Sequence, residues 1–433
     1  MAERLLWGRD GSFTMTAAEL DSVPPPAAAP RRQRAVAVLM SRFPSVTETF
    51  ILREMIEMER QAQPVRLVPM LKESPPVIHD AAKPWTDRAL YTPFVNGPIV
   101  RANVRAFLRS PLKYVSLLAR LIAGTLTSPT VLLRTLAVFP KSVLIAEELE
   151  REGVRHIHAH YATHPSTMAL IIASFSSVTF SFTVHAHDIQ VNRALLRWKL
   201  RETKFVRSIS DYNKRFLEKL YPKEATGKIV VIHVGIETEQ YAAAPPRWNR
   251  KLLCVAAHRP YKGLPYLIEA CALLRDEGLR VECDLVGHGP MHDELAEFIR
   301  RRGVEDIVRL AGPKPQEEVT RMMSEAALFV LPSIVAADGQ MEGIPVALME
   351  AMASGRAVVS TAISGIPELV ENGVSGVLVP PEDARALANA IRELLEDHDR
   401  ARSMGERGRE KVRAEFTLST CVRELNEKLE AFA

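Results

Sequence analysis

The chain has 433 residues, 47% of them hydrophobic and 25% charged, with a formal net charge of +4. That length accommodates two domains with sizeable cores, and the composition is that of a soluble globular protein. So mild a positive balance does not by itself point to a nucleic-acid partner.

Residues 1–33 read as a disordered tail, because Pro24-Pro25-Pro26-Ala27-Ala28-Ala29-Pro30 can sustain neither a helix nor a ladder. Ala35 to Met40 is apolar without alternation, the pattern of a strand buried on both faces. Thr47 and Thr49 can cap the next helix, which runs through Phe50, Ile51, Met55 and Ile56. From residue 88 to residue 146 the basic residues Arg88, Arg101, Arg105, Arg109, Lys113, Arg120, Arg134 and Lys141 occur with no Asp or Glu. Leu108, Leu112, Tyr114, Val115, Leu117, Leu118, Leu121 and Ile122 are interleaved with them. That is the composition of an amphipathic segment drawn to an anionic membrane surface; the alternative is a helical insertion packed on its own domain.

Strands and helices alternate from Val154 to Ile232, with strands at Ile157, Thr179 to Val184, Phe205 to Ile209 and Lys228 to Ile232. His156, His158, His160 and His164 flank a strand end, either as polar loop residues around a cleft or in direct contact with substrate. Phe182-Thr183-Val184-His185-Ala186-His187-Asp188 ends a strand with titratable groups at its carboxyl tip. A His-x-His-Asp run invites a metal, but no third ligand stands at convincing spacing, so none is expected. Residues 244–250 are the linker candidate, separating a first domain, 34–243, from a second, 251–400. A second alternating set follows, with strands at Leu252–Ala256, Val281–Val286, Val308–Leu310, Leu328–Leu331 and Ala357–Ser360. Repeated βα units of this kind imply two doubly wound parallel sheets, an α/β fold, with ligands outside the carboxyl ends of the strands. Gly287 and Gly289 follow one strand and Gly312 another, places where backbone can approach a nucleotide. The last segment, 401–433, reads as helical.

The stretch from Asp338 to Gly355 carries the most chemistry. Glu342 and Glu350 flank a Gly343-Ile344-Pro345-Val346 turn that must open a helix. Pro345 suits the first helical position, Gly343 allows close backbone approach, and the helix end is an anion site suited to a diphosphate. The carboxylates can accept hydrogen bonds from sugar hydroxyls. This motif, with the run from Ala357 to Pro381 that follows, resembles the donor site of the retaining family 4 glycosyltransferases. The resemblance implies the GT-B architecture, two Rossmann-like domains facing a cleft, with the last helix returning to the first domain.

It also implies roles. Glu350 would hold the ribose, Glu342 the sugar hydroxyls, Lys262 the diphosphate, and His185 would lie near the donor sugar and acceptor. The family arginine partnering Lys262 falls on Ala257, and Arg259, two residues later, is the candidate to reach the diphosphate in its place. The loop holding Ser45, Thr47 and Glu48 lacks the glycine pair many members carry there. That form resembles a bacterial exopolysaccharide subgroup of colanic-acid type, and turns the loop, with His187 and Asp188, toward the acceptor. The function implied is transfer of a sugar, a hexose by expectation, from a nucleotide-diphosphate donor to a glycan or lipid-linked acceptor, without a metal or other cofactor. A nucleotide-sugar epimerase of the same architecture and a non-catalytic sugar-nucleotide sensor remain alternatives. Cysteines 254, 271, 283 and 421 have no CxxC spacing, which is the usage of a reduced, cytoplasmic protein. Neither a signal peptide nor a spanning helix is expected, leaving peripheral contact with the inner face of the membrane.

Overall fold

The structure, a computed structural model, describes residues 34–45, 48–74, 80–241 and 248–432. The expected tail, Thr47 and most of the expected linker lie outside the described residues.

Twelve strands form two wholly parallel six-stranded sheets. The first contains β1 (Val36–Phe43), β2 (Val65–Lys72), β3 (His156–His160), β4 (Thr179–Val184), β5 (Val206–Ser208) and β6 (Ile229–Val231), in the order β2-β1-β3-β4-β5-β6. The second contains β7 (Lys251–Val255), β8 (Glu282–Val286), β9 (Val308–Gly312), β10 (Leu328–Leu331), β11 (Ala357–Thr361) and β12 (Val377–Val379), in the order β12-β11-β10-β7-β8-β9. Each order reverses once, between β1 and β3 and between β7 and β10, and such reversals open the crevice in which doubly wound sheets bind ligands. Sequence reading singled out neither β2 nor β12. Pro69 lies inside β2 and would break a central strand, but β2 is at the sheet edge, where a missing N–H is tolerated.

Alternation along β1 sends side chains to two cores. Ala37 and Leu39 join one, roofed by the helices Gly97–Arg109, Pro129–Arg151 and His164–Phe175. Val36, Val38 and Met40 join the other, roofed by the helices Thr49–Arg60 and Leu418–Glu430. The helix Thr49–Arg60 starts at Thr49 itself, with Glu48 at the cap position and no side-chain cap bond among the described residues. The terminal stretch is two helices, not one: His398–Glu415 packs on the second sheet, and only Leu418–Glu430 packs on the first. Where the chain crosses between the sheets its two passages pair: Ile236 N–H donates to Phe416 O (2.9 Å) and Leu418 N–H to Ile236 O (2.8 Å). A Cβ on Gly235 would lie 2.5 Å from the Thr417 backbone, so this crossing needs glycine.

The basic segment forms the helices Gly97–Arg109 and Pro111–Ala123 and most of Pro129–Arg151. Leu117 and Leu121 are core residues, whereas Leu108 is 73% and Leu112 86% exposed, on either side of the turn at Ser110. Among the described residues, four of the eight cations find partners within the protein. Arg88 stacks on Trp85 and Arg120 on Trp198, Arg105 pairs with Glu147, and buried Lys141 donates to Met70 O and Thr92 O. Pro129–Arg151 is long and apolar enough to cross a membrane by length and composition, but half of that stretch is buried inside the protein.

Candidate functional site

The carboxyl ends of both sheets face a shared cleft of about 670 Å³. On the second sheet's side, the turn after β10 brings Glu342 to Val346 to its wall. The helix is Val346–Ala353, so Pro345 stands at the cap position, one residue before the expected one. Its extended backbone leaves the first helical N–H groups aimed along the axis, the positive end of the helix dipole. Gly343 answers to the opposite wall as much as to any ligand: a Cβ there would meet Ile209 Cδ1 at 2.8 Å and His185 O at 3.2 Å.

Lys262 is brought in by a short turn after β7 and ion-pairs with Glu342. The turn closes on Gly263, at φ 64°, where a Cβ would lie 1.9 Å from Pro332 O. Burial opposes the ammonium charge, but Glu342 outweighs it and raises the Lys262 pKa. Glu350 is buried; its Oε1 accepts from Tyr241 Oη (2.7 Å) and Gln316 Nε2 (3.4 Å). Burial raises its pKa against the pull of these bonds and of Arg53 from the first sheet's side.

Gly287 lines the cleft at φ 137°, and a Cβ there would strike Ala256 O at 2.0 Å. A Cβ on Gly289 would likewise meet the His258 carbonyl oxygen at 2.6 Å. Both glycines seat one loop on another. Gly312, at φ 69°, ends β9 next to cleft-lining Pro313, with open space where its Cβ would be. Ala257 lines the cleft, whereas Arg259 is exposed and stands outside its lining.

The first sheet's side is built of side chains. His185 follows β4; its ring lies 4.5 Å from Tyr161 and 5.3 Å from Phe50, centroid to centroid. Its Nε2 has no partner among the described residues, and burial, helped by His160 and Arg207, holds its pKa well below the ordinary value. Ala186 takes φ 98°, an unusual backbone for a residue with a Cβ. Asp188 explains it: one oxygen accepts from His185 N–H (2.9 Å), the other from Ala162 N–H (2.7 Å). Asp188 therefore ties together the loops after β3 and β4 and is buried rather than offered to a substrate, while His187 is exposed in the cleft. Glu48 lies behind Tyr161, close enough to bear on its ionisation, and Ser45 stands outside the lining. Among the described residues no three His, Cys, Asp or Glu are set to hold a metal ion.

His156, His158 and His160 are not loop residues around the cleft. They stand in β3, fully buried. His156 bridges Thr179 and Ser181 (2.7 and 2.8 Å), His158 bridges Ser181 and Thr183 (2.8 and 2.7 Å), and His160 reaches Glu54 at 3.3 Å. Glu54 also pairs with buried Arg207. Burial opposes its ionisation, yet Arg207 and His160 hold the carboxyl far below the usual range.

Tyr161, Tyr241, Gln316 and Glu368 were missed in the sequence. Tyr161 alone carried a signal, its place just past a strand's carboxyl end. Glu368, in the second sheet's helix Ile366–Leu369, crosses to the first and accepts from Asp211 N–H (2.7 Å) and Tyr212 N–H (2.8 Å), at the start of the helix Asp211–Leu220. A carboxylate there meets the positive end of the helix dipole.

Residues 237–411 match the family described as Glycosyl transferases group 1, and residues 90–240 match Glycosyltransferase Family 4. The chain is 42% identical over 228 residues to the putative colanic acid biosynthesis glycosyltransferase WcaL of Escherichia coli (strain K12), covering 52% of this chain and 55% of that protein. It is 44% identical over 212 residues to the amylovoran biosynthesis glycosyltransferase AmsK of Erwinia amylovora, covering 48% of this chain and 51% of the relative. The matched region thus spans about half the length of these relatives. Among solved structures, a glycosyltransferase from Rickettsia africae ESF-5 superposes with a TM-score of 0.67 at 16% identity, over 92% of this chain and 98% of that one. Anabaena Alr3699/HepE in complex with UDP does so with a TM-score of 0.66 at 17% identity, over 92% and 100%. At such identities these two speak for the fold.

Proposed function

The chain belongs to the GT-B glycosyltransferases of the family 4 type, and from that premise we propose that it transfers a sugar, with retention and without a metal ion, from a nucleotide-diphosphate donor to a glycan or lipid-linked acceptor in exopolysaccharide synthesis. The observation that carries this is the Lys262–Glu342 pair set in front of the Val346–Ala353 helix end, inside a cleft between two doubly wound sheets. One cation and one run of free N–H groups stand where a departing diphosphate gathers charge, the main electrostatic need of the reaction. Glu342, released from Lys262 by the incoming phosphate, takes the hydroxyls of the sugar. Glu350, held by Tyr241 and Gln316, takes the ribose. The acceptor attacks from the face the diphosphate leaves, and its proton passes to the leaving phosphate oxygen. Support for the pathway comes from the named roles of the colanic-acid and amylovoran relatives.

UDP-sugars are the first donors to try, since solved relatives of the same fold bind UDP and UDP-glucose. A thermal-shift panel of UDP-, GDP- and ADP-sugars tests this, because a ligand of the native state raises its stability. A raised Tm with one nucleotide class supports the reading, and no shift with any class sinks it. Product analysis then separates transferase from epimerase, since only the former releases nucleotide. A lipid-linked acceptor fits the exposed Leu108 and Leu112 beside Arg101, Arg109, Lys113 and Arg134, a mixed basic and apolar face suited to anionic lipid.

A further inference from the structure

One polar pair in the cleft's first wall has no part in the donor chemistry. Tyr161 stands just past the carboxyl end of β3, at φ 76°, a left-handed backbone that bulky residues rarely adopt. Strain of this kind persists only where the surroundings impose it, and here it turns a phenol into the cleft. The ring sits 4.5 Å from His185 and 5.7 Å from His187, with Phe50 5.3 Å from His185. Four rings from three segments thus make an aromatic wall opposite the proposed diphosphate cradle. Aromatic faces carry partial negative charge, which complements the C–H edge of a sugar ring and repels an anion. Behind the wall, the Glu48 carboxyl lies close to the Tyr161 hydroxyl, and its Oε2 is shut off from solvent with no partner among the described residues.

We propose that Tyr161 binds a hydroxyl of a neutral pyranose acceptor, its phenol oxygen accepting the hydrogen bond while Glu48 behind it takes the phenol's own proton. This rests on the transferase reading and assigns its acceptor subsite. The protonation of Glu48 decides whether the subsite works. An ionised Glu48 accepts the phenol proton and leaves the phenol oxygen free for a sugar hydroxyl. A protonated Glu48 donates to that oxygen and competes with the sugar. The groups facing Glu48 are Arg42 at the end of β1, Glu73 just past β2, and Tyr161; Tyr161 in turn faces buried Asp188 and His185. Burial, opposed by Arg42 and aided by Glu73, lifts the Glu48 carboxyl to about 7. Acceptor binding therefore strengthens as pH rises through neutrality.

Saturation-transfer NMR on the UDP-loaded full chain, with a panel of methyl hexopyranosides at pH 6 and pH 8, tests this. Wild type should bind at least one glycoside, better at pH 8. Tyr161→Phe should weaken it about fivefold, the scale of one net hydrogen bond, at unchanged UDP affinity. Glu48→Gln, which cannot ionise, should bind equally at both pH values. Binding of glycerol phosphate in place of the glycosides, no glycoside binding, wild-type affinity in Tyr161→Phe, or a pH dependence surviving in Glu48→Gln would each overturn it. Failure of the parent reading shows separately, as wild type that binds no nucleotide diphosphate by calorimetry.

Discussion

On the second sheet's side the cleft is lined by turns that carry Gly287, Gly343 and the Lys262–Glu342 pair, whereas the first sheet's side is lined by four rings, His185, His187, Tyr161 and Phe50. The difference continues behind each wall. Beneath the first lie Glu54, Arg207, Lys199 and a row of buried histidines; the second rests on a large apolar core around β7, β10 and β11. On the proposed reading, glycine turns, one lysine and a helix end recognise what is common to a ligand class, the diphosphate, whatever sugar it carries. A side-chain wall can be re-specified residue by residue, which suits the partner that differs from one transferase to the next.

The largest effect expected is on the polar foundation of the first wall. Glu54→Gln leaves Arg207 buried without its charge partner, a change that costs about 3–5 kcal/mol of stability. Urea unfolding read by circular dichroism checks this, and a loss below about 1 kcal/mol would show that the pair is not what sets the wall. Acid should act on the same foundation. Burial holds the folded-state pKa of His156 at about 3, below its ordinary 6.5. The fold therefore favours the neutral ring, and this contribution, full above 6.5, drains away as pH falls toward 3. Fluorescence of Trp198, on the first sheet's side, should change at a higher pH on acidification than that of Trp248.

Next in size is the diphosphate cradle. Lys262→Ala should slow transfer about 100-fold, the effect of one lost electrostatic donor; a kcat within a few fold of wild type would leave the helix end as the cradle's whole contribution. Glu350→Gln should weaken nucleotide binding about tenfold, the scale of a charge-assisted hydrogen bond. Glu342→Gln should instead lower turnover with little change in affinity for free nucleotide diphosphate. Calorimetry giving the reverse pattern would exchange the two assignments. The smallest effect lies far from the cleft. Single replacement of Arg101, Arg109, Lys113 or Arg134 by Gln should weaken sedimentation with anionic vesicles by about 1 kcal/mol each, leaving nucleotide binding intact. Equal replacement at Arg105, already paired with Glu147, should matter less.

The contrast also explains what could be read from the chain. The turn from Glu342 to Val346 was legible because its geometry demands Gly and Pro at fixed spacing, and both doubly wound sheets were legible because their strands are continuous apolar runs. β2 was hidden by Pro69, whose tolerance depends on an edge position that no local pattern reports. Tyr161 and Tyr241 were hidden because their partners, Glu48 and Glu350, lie more than a hundred residues away in sequence. The buried histidines were misplaced because alternation of His with apolar residues is the mark of a half-exposed strand, and only Thr179, Ser181 and Thr183 on β4 make a buried one possible.

The helix Leu418–Glu430 has a consequence for how this protein is made. Leu418, Val422, Leu425 and Leu429 complete the core that begins with Val36, Val38 and Met40. A ribosome delivers Val36 long before Leu418, and between them the strands of the second sheet emerge as one uninterrupted block. Of these two sheets, the earlier one to be synthesised is thus the later one to be sealed, with one face of β1 waiting for Leu418–Glu430 to emerge. Proteolysis of stalled nascent chains should find the second sheet protected before the first, and a stop codon after Phe416 should leave Met55 and Met58 open to solvent.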